Sequence, residues 1–239
     1  MNSLGNGKQR AGSCLVAGAV ILAAGGTGRV SAAESDFGKK TVTFIDQLDL
    51  DRPGLEKVKA AKDNPVKAAA ELLAYYRARN SVRHPVDRAA LAELRGRPLD
   101  KGTREIADDA LRNVLITCPH YPRYDFGLTI DWLTNRAPNQ DKEWLWQLNR
   151  HGSWGALAAA YRHTGDEKYA ECYVRQLTDW IDHCPPEKDS PAWRTIKAGI
   201  RGHFWTGLFQ QFLDSPAYTP EVLVRHLGSF RDHAAWLVN

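Results

Sequence analysis

Apolar residues recur along most of this chain at the alternating spacing of three and four that marks helices burying one face. Ala170, Val174, Leu177 and Ile181 form one such stripe, widened by Tyr173 and Trp180. Trp193, Ile196, Ile200, Phe204 and Leu208 form a second, and Leu223, Leu227, Phe230, Ala234 and Leu237 a third. All three are predicted core faces. Starts and stops fall where helix chemistry expects them. Asp51-Arg52-Pro53 opens a short helix, Asn64-Pro65 opens one to about Arg79, His84-Pro85 leads into one from about Val86 to Leu94, and Thr103 starts another to about Ile116. Gly165 before Asp166 gives a stop and a new start, and Thr219-Pro220-Glu221 gives a cap, a proline and a first-turn acid. No strand block competes, and short connections make neighbouring helices antiparallel hairpins, so the fold class is all-α. Cys118 to Gln140, rich in Pro, Asn and aromatics, reads as a long ordered loop. No fixed period occurs, which disfavours a helical-repeat array.

Composition alters this picture mainly at the N-terminus. Of 239 residues 43% are hydrophobic and 25% charged, an ordinary globular balance. Lys8 and Arg10 precede an apolar run from Cys14 to Ala24, followed by small residues at Val30-Ser31-Ala32-Ala33. That pattern predicts a signal peptide over 1–33, cleaved after Ala32 or Ala33, and a periplasmic or secreted product with no membrane segment after cleavage. The leader holds Lys8, Arg10 and Arg29 and no acid, so most of the formal net charge of +4 belongs to it. The remaining balance gives no reason to expect a nucleic-acid partner. Cys118, Cys172 and Cys184 then remain. Cys172 and Cys184 lie too far apart along one predicted helix to be bridged, and free buried thiols are expected. No spacing resembles a zinc site, and neither a metal nor a cofactor is predicted.

Candidate chemistry lies on two helical stripes. On a helix predicted from about Glu143 to His163, Trp144, Gln147, His151, Trp154, Ala158 and Tyr161 share one face, with Arg150 beside them. Aromatic rings mixed with Gln, His and Arg suit a sugar groove, because hydroxyls satisfy the polar heads and C–H faces meet the rings. The same mixture also packs helix on helix with its heads reaching water. Arg194, Lys197, Arg201 and Trp205 form the second stripe, opposite an apolar face. It suits an anionic polymer, since guanidinium forks match carboxylate and sulfate, or it is a solvated surface. No nucleophile elbow, phosphate loop, dinucleotide fingerprint or HExxH motif is present. Asp108-Asp109 and Asp125 with Asp131 are the carboxylate pairs available for glycosidase chemistry.

The segments LDRPGLEKVKAA, KAAAELLAYYRAR, YDFGLTIDW, WQLNRHGSW, AAAYRHTGDEKYA, SPAWRTIKAGIR and DSPAYTPEVL, in that order, resemble the N-terminal region of the heparinase II/III family of polysaccharide lyases. The resemblance runs from about Leu48 to the last residue. It implies an incomplete (α/α) toroid over 34–239, with helical hairpins lining a cleft for uronate-containing acidic polysaccharide of the heparin or heparan sulfate kind. It also implies β-elimination, in which a uronate carboxylate is neutralised, a Tyr or His base takes the C5 proton and the 4-O leaving group departs. By this resemblance Gln147, Asn149, Arg150, His151, Trp154, Arg194 and Arg201 are the candidate substrate contacts. The family's catalytic Asn-His pair, Tyr and further His fall beyond the end of this sequence, and Asn239 stands too early for the neutralising role. The expected product is thus the substrate-binding part of a lyase, inactive as this chain alone. A self-standing, non-catalytic glycan-binding half-toroid is the alternative, disfavoured because Phe230, Ala234, Trp236 and Leu237 run apolar to the terminus.

Overall fold

Asn64 shows how local sequence sets this architecture: its side chain accepts the Lys67 backbone N–H, and Pro65 follows at the first helical position. The computed structural model describes residues 32–79, 87–118 and 120–238. Its elements run α1 (Ala32–Ile45), α2 (Glu56–Ala60), α3 (Pro65–Ala78), α4 (Arg88–Ala92), α5 (Lys101–Leu111), β1 (Val114–Leu115), β2 (Tyr124–Asp125), α6 (Lys142–Leu148), α7 (Ser153–Thr164), α8 (Glu167–His183), a 3-10 turn (Pro191–Trp193), α9 (Thr195–Phe212) and α10 (Pro220–Val238). Most of the predicted signal peptide, residues 1–31, and the predicted start at His84-Pro85 lie outside the described residues.

Asp87, Asp100, Asp141 and Asp166 each cap a helix by accepting backbone N–H groups of its first turn. Gly165 ends α7 at φ 75°, a left-handed conformation that costs glycine little. Helices α7 and α8 pack as a hairpin, as do α9 and α10, while α5 lies against α7 and α10 reaches back to α1, α3 and α8. Arg77 on α3 straps this arrangement, donating to the carbonyls of Leu213, Ser215 and Tyr218 in the turn between α9 and α10.

Four expectations need correction. First, β1 and β2 pair antiparallel where no strand was expected, Val114 opposite Asp125 and Leu115 opposite Tyr124, so the helix predicted from Thr103 to Ile116 runs from Lys101 to Leu111. Asn113, at φ 59°, turns the chain out of the helix. Second, the short helix expected from Asp51 begins at Glu56, after a turn in which Gly54 has φ 92°.

Third, the helix predicted from Glu143 to His163 is two helices. His151 adopts φ 59°, and the N–H groups of Arg150 and His151 fall back on the Gln147 and Leu148 carbonyls three residues earlier, which breaks the ladder between α6 and α7, while the Asn149 side chain donates to the carbonyls of Leu145 and Trp132. Fourth, the first half of α9 departs from the expectation, although Trp193 and Leu208 are buried and Phe204 packs on the core as their spacing predicts. Lys197, Arg201 and Trp205 are buried, whereas Ile196 is 61% and Ile200 40% exposed. In α10 the expected Leu223 is buried and Leu227 and Phe230 pack against the core, but Val222, His226, Ser229 and His233 are buried as well and the last two expected positions, Ala234 and Leu237, are exposed. A polar stripe can face inward because each helix supplies partners for the other. Arg201 Nε donates to His233 Nε2 at 2.7 Å, and His233 Nδ1 donates to the Ser229 carbonyl at 2.6 Å.

Candidate functional site

Tryptophan 146 stands at the junction of α6 and α9 with one indole face covered by cations. Arg194 lies 3.7 Å from the ring centroid and Lys197 5.1 Å. The ring is half-buried and Arg194 is exposed, while the Lys197 side chain is only 3% exposed. Beside them Glu143 Oε1 accepts from Gln147 Nε2 at 2.8 Å, and it pairs with Arg150 at 3.3 Å and Lys197 at 3.7 Å. Burial and the neighbouring Arg150 lower the Lys197 ammonium pKa, against the pull of Glu143. Arg194 also lines a groove with Lys188, Asp189, Ser190 and the half-buried Trp236, whose floor is the buried Trp193. Chemically, Lys188 and Arg194 can pair with anionic oxygens, and the accessible parts of Trp146 and Trp236 can meet apolar C–H faces.

Directly beneath lies a closed aromatic and polar interior. Asn149 is fully buried, and its Oδ1 accepts the Trp180 indole N–H at 2.9 Å. Trp154 donates to Gln176, Trp193 to the Cys184 carbonyl and Trp205 to His151 Nδ1, so each of these indole N–H groups has an acceptor. His151 stacks on Trp154 at 3.9 Å, nearly parallel. Arg201 donates to the carbonyls of Asn149 and Ala192 and sits over Trp180 and Trp193, 4.3 and 5.0 Å from their centroids. Burial drives the pKa values here. It holds His151 well below the usual histidine range, takes His226 and His233 down to about 3, and lowers Arg201 to about 9.

The seven residues predicted as substrate contacts therefore divide. Gln147, Arg150 and Arg194 lie together on the α6 and α9 surface. Asn149, His151, Trp154 and Arg201 are interior braces, each at most 3% exposed, with partners inside the protein. Helical spacing could not separate the two groups, because it assumed one unbroken helix through His151. Glu143, Trp146 and Lys197 were not singled out as contacts; the spacing of four between Glu143 and Gln147 was the signal available for the first.

The acid pairs are structurally engaged. Although burial opposes it, bonds from Arg123 and Arg112 hold the Asp109 carboxyl below its ordinary pKa, and Asp108 accepts the Tyr169 hydroxyl. Asp131 is likewise lowered, against burial, by Thr134, Arg136 and the Leu133 N–H. Cys118, Cys172 and Cys184 are buried free thiols, and burial pushes Cys172 up to about 11 and Cys184 to about 12. Among the described residues no group of three or more His, Cys, Asp or Glu could hold a metal ion, and no helix is long and apolar enough to cross a membrane.

Residues 44–239 match the family model described as heparinase II/III N-terminus. A heparin-sulfate lyase of Pedobacter heparinus is 36% identical over 219 residues, covering 88% of this chain and 32% of that protein. A heparin-sulfate lyase of Bacteroides stercoris is 36% identical over 210 residues, covering 78% of this chain and 30% of that protein. The crystal structure of heparan sulfate lyase HepC from Pedobacter heparinus superposes with a TM-score of 0.72 at 35% identity, over 83% of this chain and 32% of that one. The chain thus spans about a third of the length of the relatives it matches. The antiparallel hairpins are those of an incomplete (α/α) toroid.

Proposed function

Because this chain belongs to the heparinase II/III family, we propose that it forms the substrate-binding wall of an exported lyase that cleaves uronate-containing acidic polysaccharide, of the heparan sulfate kind, by β-elimination. The observation that carries the proposal is the Arg194 guanidinium on the half-buried Trp146 ring, at the edge of a groove lined by Trp193, Trp236 and Lys188. An exposed cation held on an indole is pre-oriented, so less side-chain freedom is lost when it meets an anion. Gln147 and Arg150 extend the same surface. The surface supplies binding and not the proton transfer: no tyrosine or histidine lines the groove, and β-elimination needs such a base at the uronate C5 proton.

The test is retention of the purified 239-residue chain on immobilised heparan sulfate, read against an uncharged dextran. Arg194→Ala should weaken retention about tenfold at low ionic strength, an effect that shrinks as salt screens it. No unsaturated uronate should be released. Equal binding to dextran, or an unchanged Arg194→Ala, would count against this surface, and uronate release by the chain would count against the division of labour. Export rests on the leader pattern of residues 1–33. Mass spectrometry of the protein from a periplasmic fraction should find an N-terminus at Ala33 or Glu34, and an intact Met1 there would overturn it.

A further inference from the structure

We propose that Glu143 is a built-in stand-in for an anionic group of the bound polysaccharide, occupying a cation site until a sulfate or carboxylate displaces it; this rests on reading the α6 and α9 surface as the binding surface. Three donors from two helices converge on one of its oxygens: Gln147 at 2.8 Å, Arg150 at 3.3 Å and Lys197 at 3.7 Å. One carboxylate faces the two cations Arg150 and Lys197, with Arg194 adjoining them across Trp146, so positive charge is left over.

The donors are also incompletely satisfied. Charge-assisted N–H···O contacts close to about 2.7–2.9 Å where geometry allows. The Lys197 ammonium, on a side chain 3% exposed, meets this carboxylate only at 3.7 Å, and the Arg150 Nε is buried with no hydrogen-bond partner. A buried cation held this loosely has room for a better-placed anionic oxygen. Glu143 itself is 35% exposed and sits in the first turn of α6, so its side chain can leave toward water without opening the interior.

Displacement makes the site selective. A neutral glycan offers nothing to replace the carboxylate, and withdrawing Glu143 for it would strand the buried Lys197 charge. A sulfated or carboxylated chain takes over the same donors at little net cost. The occupant is thus an anionic oxygen group, and sulfate and uronate carboxylate share that chemistry.

The experiment measures binding of the full chain and of its Glu143→Gln variant to heparan sulfate and to its unsulfated backbone, across a salt series. With the competing charge removed, Glu143→Gln should bind heparan sulfate roughly three- to tenfold more tightly at low ionic strength, with a steeper salt dependence. A gain on heparan sulfate alone assigns the site to sulfate, and a gain on both polymers assigns it to the carboxylate. Unchanged or weaker binding by a folded Glu143→Gln overturns the proposal, because Glu143 is then a brace. Should that variant not fold, Glu143→Asp keeps the charge and shortens the reach; it should fold and bind with an intermediate gain. Failure of both variants to fold likewise overturns the proposal. If the unmodified chain binds neither polymer, the surface assigned above falls and this inference with it. Binding by the unmodified chain without a gain in the variant removes only the role of Glu143.

Discussion

A single backbone torsion at His151 decides which residues of the WLWQLNRHGSW segment meet solvent. Its left-handed conformation, φ 59°, lies in the turn between α6 and α7, and its ring stacks on Trp154. Trp144, Leu148, Asn149 and Trp154 then point inward, and Trp146, Gln147 and Arg150 remain on the surface. The segment serves the interior and the surface at once. Its buried imidazole, with those of His226 and His233, gives the fold a pH dependence. All three have folded-state pKa values below that of an unfolded histidine, chiefly through burial, His226 and His233 at about 3. Unfolded histidines bind protons near pH 6.5 while the folded ones stay neutral. The stability from neutral burial is therefore fully present above about pH 6.5 and is lost as pH falls from there toward about 3. His226 and His233 should each contribute a loss on the order of 1 kcal/mol per pH unit inside that window, and His151 a loss of the same sign. Urea unfolding near neutral pH and near about pH 5 reads the sum, and His226→Gln should flatten the dependence by one histidine's share. Equal stability at the two pH values would contradict the assignment.

At the scale of the element, α9 is the instructive case. In its first half Ile196 and Ile200 look outward while Lys197 and Arg201, followed by Trp205, look inward; farther along, Leu208 is buried as its spacing predicts. Ile200→Lys should therefore cost under about 0.5 kcal/mol, as a surface change, whereas Trp205→Ala should cost about 3–5 kcal/mol by leaving a cavity among Trp154, Trp180 and His226. Denaturant midpoints of the two variants settle which face is inside. The helices themselves were legible from caps and prolines, as at Asn64-Pro65 and at Asp166, because capping is a local interaction between near neighbours in sequence. The facing of α8 was also legible, since Ala170, Tyr173, Leu177 and Trp180 are both apolar and buried. The facing of α9 and α10 was legible only in part: Leu208 and Leu223 are buried as their spacing predicts, whereas Ile196, Ile200 and Leu237 are exposed and Arg201 and His233 lie inside. Arg201 is tolerable inside only because His233 lies 32 residues away in sequence and the Asn149 carbonyl 52, and no local pattern encodes such partners. The proposed binding surface was half legible for the same reason: Arg194 and Lys197 share a helix stripe, but their separation into an exposed and a buried cation depends on where α6 brings Trp146 and Glu143.

Across the whole molecule, arginines tie distant pieces of chain together. Arg77 reaches the turn between α9 and α10, and Arg162 of α7 reaches the Gln210 carbonyl and Asp214 at the end of α9. The α6 and α9 surface is thus mounted on hairpins whose far ends are pinned, which keeps Trp146 and the cations around it in register. That mounting also separates two populations of indole. Trp154, Trp205, Trp180 and Trp193 follow one another in an interior chain, with successive centroids 5.3 to 5.8 Å apart, that continues to the half-buried Trp236 5.6 Å from Trp193, while Trp146 lies under its cations. Rings that close couple their electronic transitions. The molecule consequently carries its own optical probe: a near-ultraviolet dichroism, fed by the coupled interior indoles, that vanishes when fixed packing is lost.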